Sequence, residues 1–188
     1  VDGPRIDVPG KTEKYYYMLH KPRGFITTTS DERGRKTVMD LMEGVPARVY
    51  PVGRLDKDSE GLLLLTNDGE FANLLTHPSH GVTKLYRVTV HPRATEEQLI
   101  ALTDGVVLDD GTKTQPVVIR VVVDEPERTV MEMTLSEGKN RQIRRMCEAV
   151  GLEVARLRRT AVGPVKLGML APGQFRQLDK QEVRALRT

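Results

Sequence analysis

The chain has 188 residues, enough for one domain with a sizeable core or two small subdomains sharing a sheet, and carries a net charge of only +3. A single cysteine, Cys147, excludes an internal disulfide framework and a thiolate metal cage. No apolar run approaches the roughly 18 residues that a membrane span requires, and the first residues lack a basic segment followed by an apolar one, so no signal peptide or anchor is predicted and the cytoplasm is the expected compartment.

Residues 1–14 begin with the turn-rich stretch Val1-Asp2-Gly3-Pro4-Arg5-Ile6 and read as a linker remnant that follows a module lying upstream. Residues 15–19 have the aromatic content of a strand, which ends where His20-Lys21-Pro22-Arg23-Gly24 forces a turn bearing cationic side chains. Thr37 is placed to cap a short helix reaching Met42. The apolar run 62–66, bracketed by Gly61 and Asn67-Asp68-Gly69, is too short for most helices and reads as a fully buried strand. Asp68 then caps a helix with Phe71, Leu74 and Leu75 on one face, closed by Pro78.

Residues 85–90 alternate as a strand, with Tyr86, Val88 and Val90 together on one face. Thr95-Glu96-Glu97-Gln98 is a capping box that opens a helix ending at Gly105. Asp109-Asp110-Gly111 predicts a hairpin turn between residues 106–108 and the β-branched run 117–123. Residues 128–135 alternate again, bringing Met131, Met133 and Leu135 together. A helix is predicted over 140–150, with Ile143, Met146, Cys147 and Val150 at helical spacing and Gly151 as its stop. At 100° per residue, Arg141 and Arg145 lie opposite that apolar stripe and Arg144 lies at its edge, within reach of a carboxylate across a cleft. A strand over 154–158 and a final helix opened by Asp179 and Glu182 complete the chain. Strands and helices mix without regular βαβ alternation, which predicts an α+β fold with a largely antiparallel sheet.

The basic residues are concentrated late. Between residues 137 and 160, Lys139, Arg141, Arg144, Arg145, Arg156, Arg158 and Arg159 face only Glu137, Glu148 and Glu153, a local net charge of +4 that exceeds the excess of the whole chain. A polyanion such as nucleic acid suits so localised a field. There is no dinucleotide fingerprint, no P-loop and no ligand-spaced Cys/His cluster, so neither a cofactor nor a metal is predicted; His77 and His80 read as surface-loop histidines.

Gly53-Arg54-Leu55-Asp56 with Gly61-Leu62-Leu63-Leu64-Leu65-Thr66-Asn67-Asp68-Gly69, then Lys84-Leu85-Tyr86-Arg87-Val88, then Glu137-Gly138-Lys139-Asn140-Arg141-Gln142-Ile143-Arg144-Arg145-Met146 resemble, in the same order, the motifs of the RsuA/RluB family of ribosomal RNA pseudouridine synthases. His20-Lys21-Pro22-Arg23-Gly24 stands ahead of them as in that family, and the resemblance runs from about residue 15 to the C-terminus. It implies a mixed, mainly antiparallel sheet flanked by helices over 15–188, and an upstream RNA-binding module of the S4 type, of which 1–14 would be the linker.

The resemblance also implies the roles. Asp56 is the expected catalytic carboxylate, Arg54 the arginine associated with the flipped-out base, Tyr86 the tyrosine lying against the uracil and Arg144 the basic residue paired with the aspartate. A guanidinium within about 4–6 Å favours the charged form of a carboxylate, which a nucleophile needs. A stacked uridine cannot present C1′ and C5 to a side chain, so the nucleotide must be extruded. Lys21, Arg23, Lys139, Arg141 and Arg145 are the expected contacts to backbone phosphate. The implied activity is isomerisation of one uridine of large-subunit ribosomal RNA by a monomer acting on the RNA or on a ribosomal assembly intermediate, without cofactor or metal. The competing readings are a small-subunit enzyme, an N-glycoside hydrolase that would release free uracil, and a non-catalytic rRNA-binding assembly factor that would be indifferent to Asp56→Ala.

Overall fold

A computed structural model of the chain describes residues 13–31 and 33–188, so the linker predicted over 1–14 lies almost wholly outside the described residues. Among these, nine strands form one sheet: β1 (Tyr16–Lys21), β2 (Tyr50–Val52), β3 (Glu60–Thr66), β4 (Lys84–His91), β5 (Val118–Asp124), β6 (Thr129–Leu135), β7 (Glu153–Val162), β8 (Val165–Lys166) and β9 (Phe175–Gln177). The spatial order is β5-β6-β4-β7-β3-β1-β9, with β2 added to β3 and β8 to β7. Every pairing is antiparallel except that of β3 with β7. The helices are α1 (Gly69–Thr76), α2 (Glu96–Asp104), α3 (Gln142–Ala149) and α4 (Lys180–Arg187). This is the mixed, mainly antiparallel α+β architecture predicted above.

The apolar run of β3 is continuous because both faces of the strand are covered, and all seven residues are buried. Leu62 and Leu64 enter a cluster with Phe71 and Leu75 of α1 and Leu186 of α4. Leu63 and Leu65 point the other way, into a cluster with Tyr17, Val38, Met42 and Val49. Each leucine so enclosed contributes roughly 1.5–3 kcal/mol of transfer free energy. A third cluster lies between the sheet and α2 and α3, where Val88, Val90, Met131, Met133 and Leu135 meet Ile143, Met146 and Cys147. The predicted alternation of β4 and β6 and the predicted stripe of α3 are the two halves of that interface.

The helix ends follow the predicted capping chemistry. Asp68 accepts from the Phe71 amide at 3.1 Å, and its other oxygen takes the Tyr16 hydroxyl at 2.6 Å and Arg187 at 2.9 Å, tying α1 to β1 and α4. Reciprocal capping boxes open α2 (Thr95 with Gln98) and α4 (Asp179 with Glu182). One expectation fails. The turn at Asp109-Asp110-Gly111 does not join residues 106–108 to the 117–123 run: it folds back on Thr112 and Lys113, with Val107 bridged to Lys113, while β5 pairs only with β6. A β-branched run specifies a strand but not its partner, and Thr129–Leu135 offers a longer complementary edge than three residues could.

Candidate active site

The sheet and its helices leave a cleft of about 880 Å³ between the α1/α4 cluster and the α2/α3 cluster. Arg54, Leu55 and Asp56 enter it from the loop between β2 and β3, Lys84 and Tyr86 from β4, Glu137, Lys139 and Arg141 from the segment before α3, and Arg159 from β7. Four segments distant in sequence therefore converge on one concavity.

The loop that carries Asp56 is held by its backbone. Thr27 donates from Oγ1 to the Leu55 carbonyl at 2.6 Å and accepts from the Leu55 amide at 3.2 Å. The Ser59 amide donates to the Asp56 carbonyl at 3.0 Å, closing the turn, and the Gly24 amide donates to the Lys57 carbonyl at 2.8 Å. Lys21 closes the same loop from below: its Nζ donates to the Ser59 carbonyl at 2.7 Å, the Pro22 carbonyl at 3.1 Å and the Lys57 carbonyl at 3.4 Å. Lys21 has no exposed surface, and burial pushes its pKa down to about 8 against the opposing pull of Asp58, Asp56 and Glu60. It cannot touch a phosphate of the substrate, and the expectation that it would is corrected: it is a structural tie at the end of β1.

Beyond the loop, β3 runs parallel to β7 with Gly61 opposite Arg159. The backbones come so close that a Cβ at position 61 would lie 2.1 Å from the Arg159 carbonyl oxygen, and φ there is +112°, so only glycine fits. The Arg159 side chain is buried and donates from Nε to the Leu62 carbonyl at 2.8 Å. Tyr86 faces Met133 and Arg159 on the neighbouring strands, immediately after a register shift at Leu85/Tyr86 that re-aims the strand at the cleft.

The basic arm is set by Glu137 and Gln142. Glu137 accepts from the Gln115 amide at 2.6 Å and from Gln142 Nε2 at 2.9 Å, while Gln142 Oε1 accepts from the Lys139 amide at 3.0 Å. These bonds turn the chain so that Arg141 precedes α3 with φ 50° and ψ 36°, the single non-glycine residue with positive φ among those described. Its guanidinium donates to both oxygens of Asp58, at 3.1 and 3.0 Å, and lies 3.4 Å from Oδ2 of Asp56.

The expected partnership of Asp56 with Arg144 therefore changes. Arg144 donates from Nη2 to the Asp58 carbonyl at 3.0 Å and stands 3.5 Å from the Asp58 carboxylate, and the cation against Asp56 is Arg141. Burial lowers the Arg144 pKa against the pull of Asp58 and Asp56. The bonds from Arg141, aided by Arg144, hold the Asp58 carboxyl below the usual range despite its partial burial. Asp58, to which the motifs assign no role, is the hub joining the two arginines.

Of the other expected phosphate contacts, Arg23 is exposed beside the loop and Lys139 reaches Glu137 at 3.5 Å within the cleft wall. Arg145 is corrected: its guanidinium is bound to Asp109 and Asp110 at 2.8 and 3.0 Å and to the Asn140 carbonyl at 2.9 Å, which neutralises it. Arg54 is exposed at the cleft mouth, with no hydrogen-bond partner among the described residues. Lys84, quoted in the motif but given no role, lines the cleft; burial lowers its pKa and Arg159 lowers it further. His77 accepts from the Ser79 amide at 3.1 Å and His80 bonds the Leu186 carbonyl at 2.7 Å, so both are used locally. Burial pushes the Cys147 thiol up to about 12, which removes it as a nucleophile.

An acidic group in a Gly-bounded loop, a tyrosine on β4 and a rim of arginines thus share one cleft. The chain belongs to the RNA pseudouridylate synthase family, whose model matches residues 15–149. It is 42% identical over 189 residues to the ribosomal large subunit pseudouridine synthase B of Bacillus subtilis, a match covering 100% of this chain and 76% of that protein. It is also 42% identical over 187 residues to the ribosomal large subunit pseudouridine synthase E of Xanthomonas campestris, covering 90% of this chain and 98% of that one. The fold is similar to a crystal structure of a pseudouridylate synthase, with a TM-score of 0.85 and 32% identity over 93% of this chain and 74% of the other. The activity is accordingly that of an isomerase converting uridine in RNA to pseudouridine. Among the described residues no helix is long and apolar enough to cross a membrane.

Proposed function

We propose that this isomerase acts on one uridine of large-subunit ribosomal RNA, with Asp56 as the catalytic carboxylate. The N1–C1′ bond breaks, the uracil turns within the cleft, a C5–C1′ bond forms, and the proton lost from C5 is balanced by one taken up at N1. Atoms and electrons balance without an external reactant. Asp56 serves the glycosidic carbon and the base, Arg141 holds its charge in place, Arg144 fixes the Asp58 carbonyl beside it, and Tyr86 offers a face for the uracil and a hydroxyl for proton transfer. Arg54 occupies the cleft mouth, where it can enter the space that the extruded nucleotide leaves. Lys139 and Arg23 are the remaining cations suited to flanking phosphates.

The observation that carries this reading is the meeting of Asp56, 3.4 Å from a guanidinium, with Tyr86 in one cleft, although 30 positions separate them in sequence. The names of the two relatives support the choice of large-subunit RNA. We place the enzyme in the cytoplasm as a monomer, a state that light scattering checks. The decisive assay uses rRNA transcripts tritiated at uracil C5. Tritium release with the base retained, mapped to large-subunit RNA, supports the proposal; release of free uracil would convert the site to a hydrolase, and modification confined to small-subunit RNA would redirect the substrate. Asp56→Asn is expected to lower tritium release more than about 1,000-fold while RNA binding persists, as measured by filter retention.

A further inference from the structure

β4 and β7 turn alternate side chains away from α2 and α3, and on that far face a second groove of about 170 Å³ is lined by Arg87, Thr89, Arg128, Val130, Arg156 and Arg158. Among the described residues no apolar cluster covers it: one cluster lies under α2 and α3, one under α1 and α4, and the third against the β1–β3 half of the sheet. Val130, which is buried, shares the lining with the four arginines.

The charges there do not cancel. Arg156 is matched by Glu60, to which it donates twice at 3.0 Å, and Arg128 is matched by Glu125. Glu132, which stands across from Arg87 on β6, is taken by Arg120 at 2.6 Å. Among the described residues this leaves Arg87 without an ion pair, and it leaves the Nε of Arg158 buried with no acceptor. Burial lowers the Arg158 pKa, and Arg156 and Arg87 lower it further while only Glu60 opposes, the signature of crowded positive charge.

We propose that this groove binds a phosphodiester of the substrate RNA outside the catalytic cleft, with Arg87 and Arg158 as its two guanidinium forks. The proposal rests on the RNA substrate argued above. A planar fork matches phosphate oxygens two at a time, which is the contact an orphan Nε beside a free guanidinium lacks. Consecutive residues of β7 serve the two faces: Arg158 lines this groove and Arg159 the cleft. The sheet thus offers the polyanion two cationic sites, one at the chemistry and one behind it, and the second commits the enzyme to a longer stretch of RNA than the cleft alone can hold.

The test compares wild type with Arg87→Gln/Arg158→Gln in the full chain, measuring affinity for a large-subunit rRNA transcript across a salt series. Loss of this phosphate contact is expected to weaken binding roughly tenfold and to flatten the slope of log affinity against log salt by about 0.7, the value for one phosphate on single-stranded RNA. KM should rise with it while kcat holds. The single variant Arg87→Gln, whose fold is checked by its melting temperature, should give about half of the slope change and guards against misfolding of the double variant. Folded variants with unchanged affinity and slope would overturn the proposal, as would unchanged RNA affinity with lost capture on ribosomal particles, which would assign the groove to an acidic protein. If wild type releases no tritium from any rRNA, the functional reading fails on its own, whereas the groove is judged by the salt slope.

Discussion

Arg141 holds a left-handed backbone that costs a non-glycine residue roughly 1–2 kcal/mol, and its side chain bridges Asp56 and Asp58. Glycine at this position would relieve the strain and lose a partly exposed ion pair worth about 0–1 kcal/mol, at the cost of a looser unfolded chain. Arg141→Gly is therefore expected to melt within a few degrees of wild type, as followed by circular dichroism, while tritium release falls about 100-fold because Asp56 loses its positioning cation. A large drop in melting temperature would instead make the residue structural. At Tyr86 the ring and the hydroxyl separate cleanly: Tyr86→Phe is expected to hold KM within about twofold and to lower kcat about 100-fold, the usual scale for a general acid or base. Steady-state kinetics on the tritiated transcript check both parameters. Residue type was legible at these positions, since the motifs single out Asp56, Tyr86 and Arg144. Lys21 was misjudged because a lysine between His20 and Pro22 carries no periodic signal of burial, and nothing local announces that three carbonyls converge on it.

At the scale of elements, the contact of β3 with β7 is what joins the two halves of the sheet around the cleft. Gly61→Ala would drive a Cβ into the Arg159 backbone, which has no flexible end to yield, and would also strain a φ of +112°. A loss of roughly 3 kcal/mol or more is expected, read as a lower denaturant midpoint at unchanged slope. Most elements were legible from caps and periodicity: Thr37, Asp68, Thr95 and Asp179 all cap where the sequence places them. The partner of β5 was not. The connection 125–128 to β6 is shorter than the 109–116 stretch that separates residues 106–108 from the run, so both loop closure and the longer edge favour β6, a choice that the turn signal at Asp109-Asp110-Gly111 obscured.

For the molecule as a whole, acid sensitivity follows from its carboxylates. Bonds from Arg141 hold Asp58 below its ordinary 3.8, and bonds from Arg176 hold Glu182 below its ordinary 4.5. Each binds a proton less readily in the fold than in the unfolded chain, so the stability it contributes is complete above the ordinary value and is lost as pH falls toward the folded one. Urea midpoints are thus expected to be flat from pH 7 to about 5 and to decline below about 4.5; replacing Glu182 by Gln should shallow that decline. A midpoint that holds constant to pH 3 would contradict the assignment.

The sequence by itself determined the family, the α+β pattern and part of the cleft lining, Arg54, Asp56, Tyr86, Lys139 and Arg141, because motif order, alternation and capping are properties of neighbouring residues. Tertiary structure alone decided which guanidinium serves which carboxylate, that Lys21 is interior, that Asp109 and Asp110 neutralise Arg145, and that Arg87 and Arg158 share an uncompensated groove on the far face. Arg141 and Arg144 lie three residues apart, and their helical phases tell them apart by face but not by partner. The choice between Asp56 and Asp58 is made by how the start of α3 abuts the β2–β3 loop, a long-range fit that no local spacing encodes.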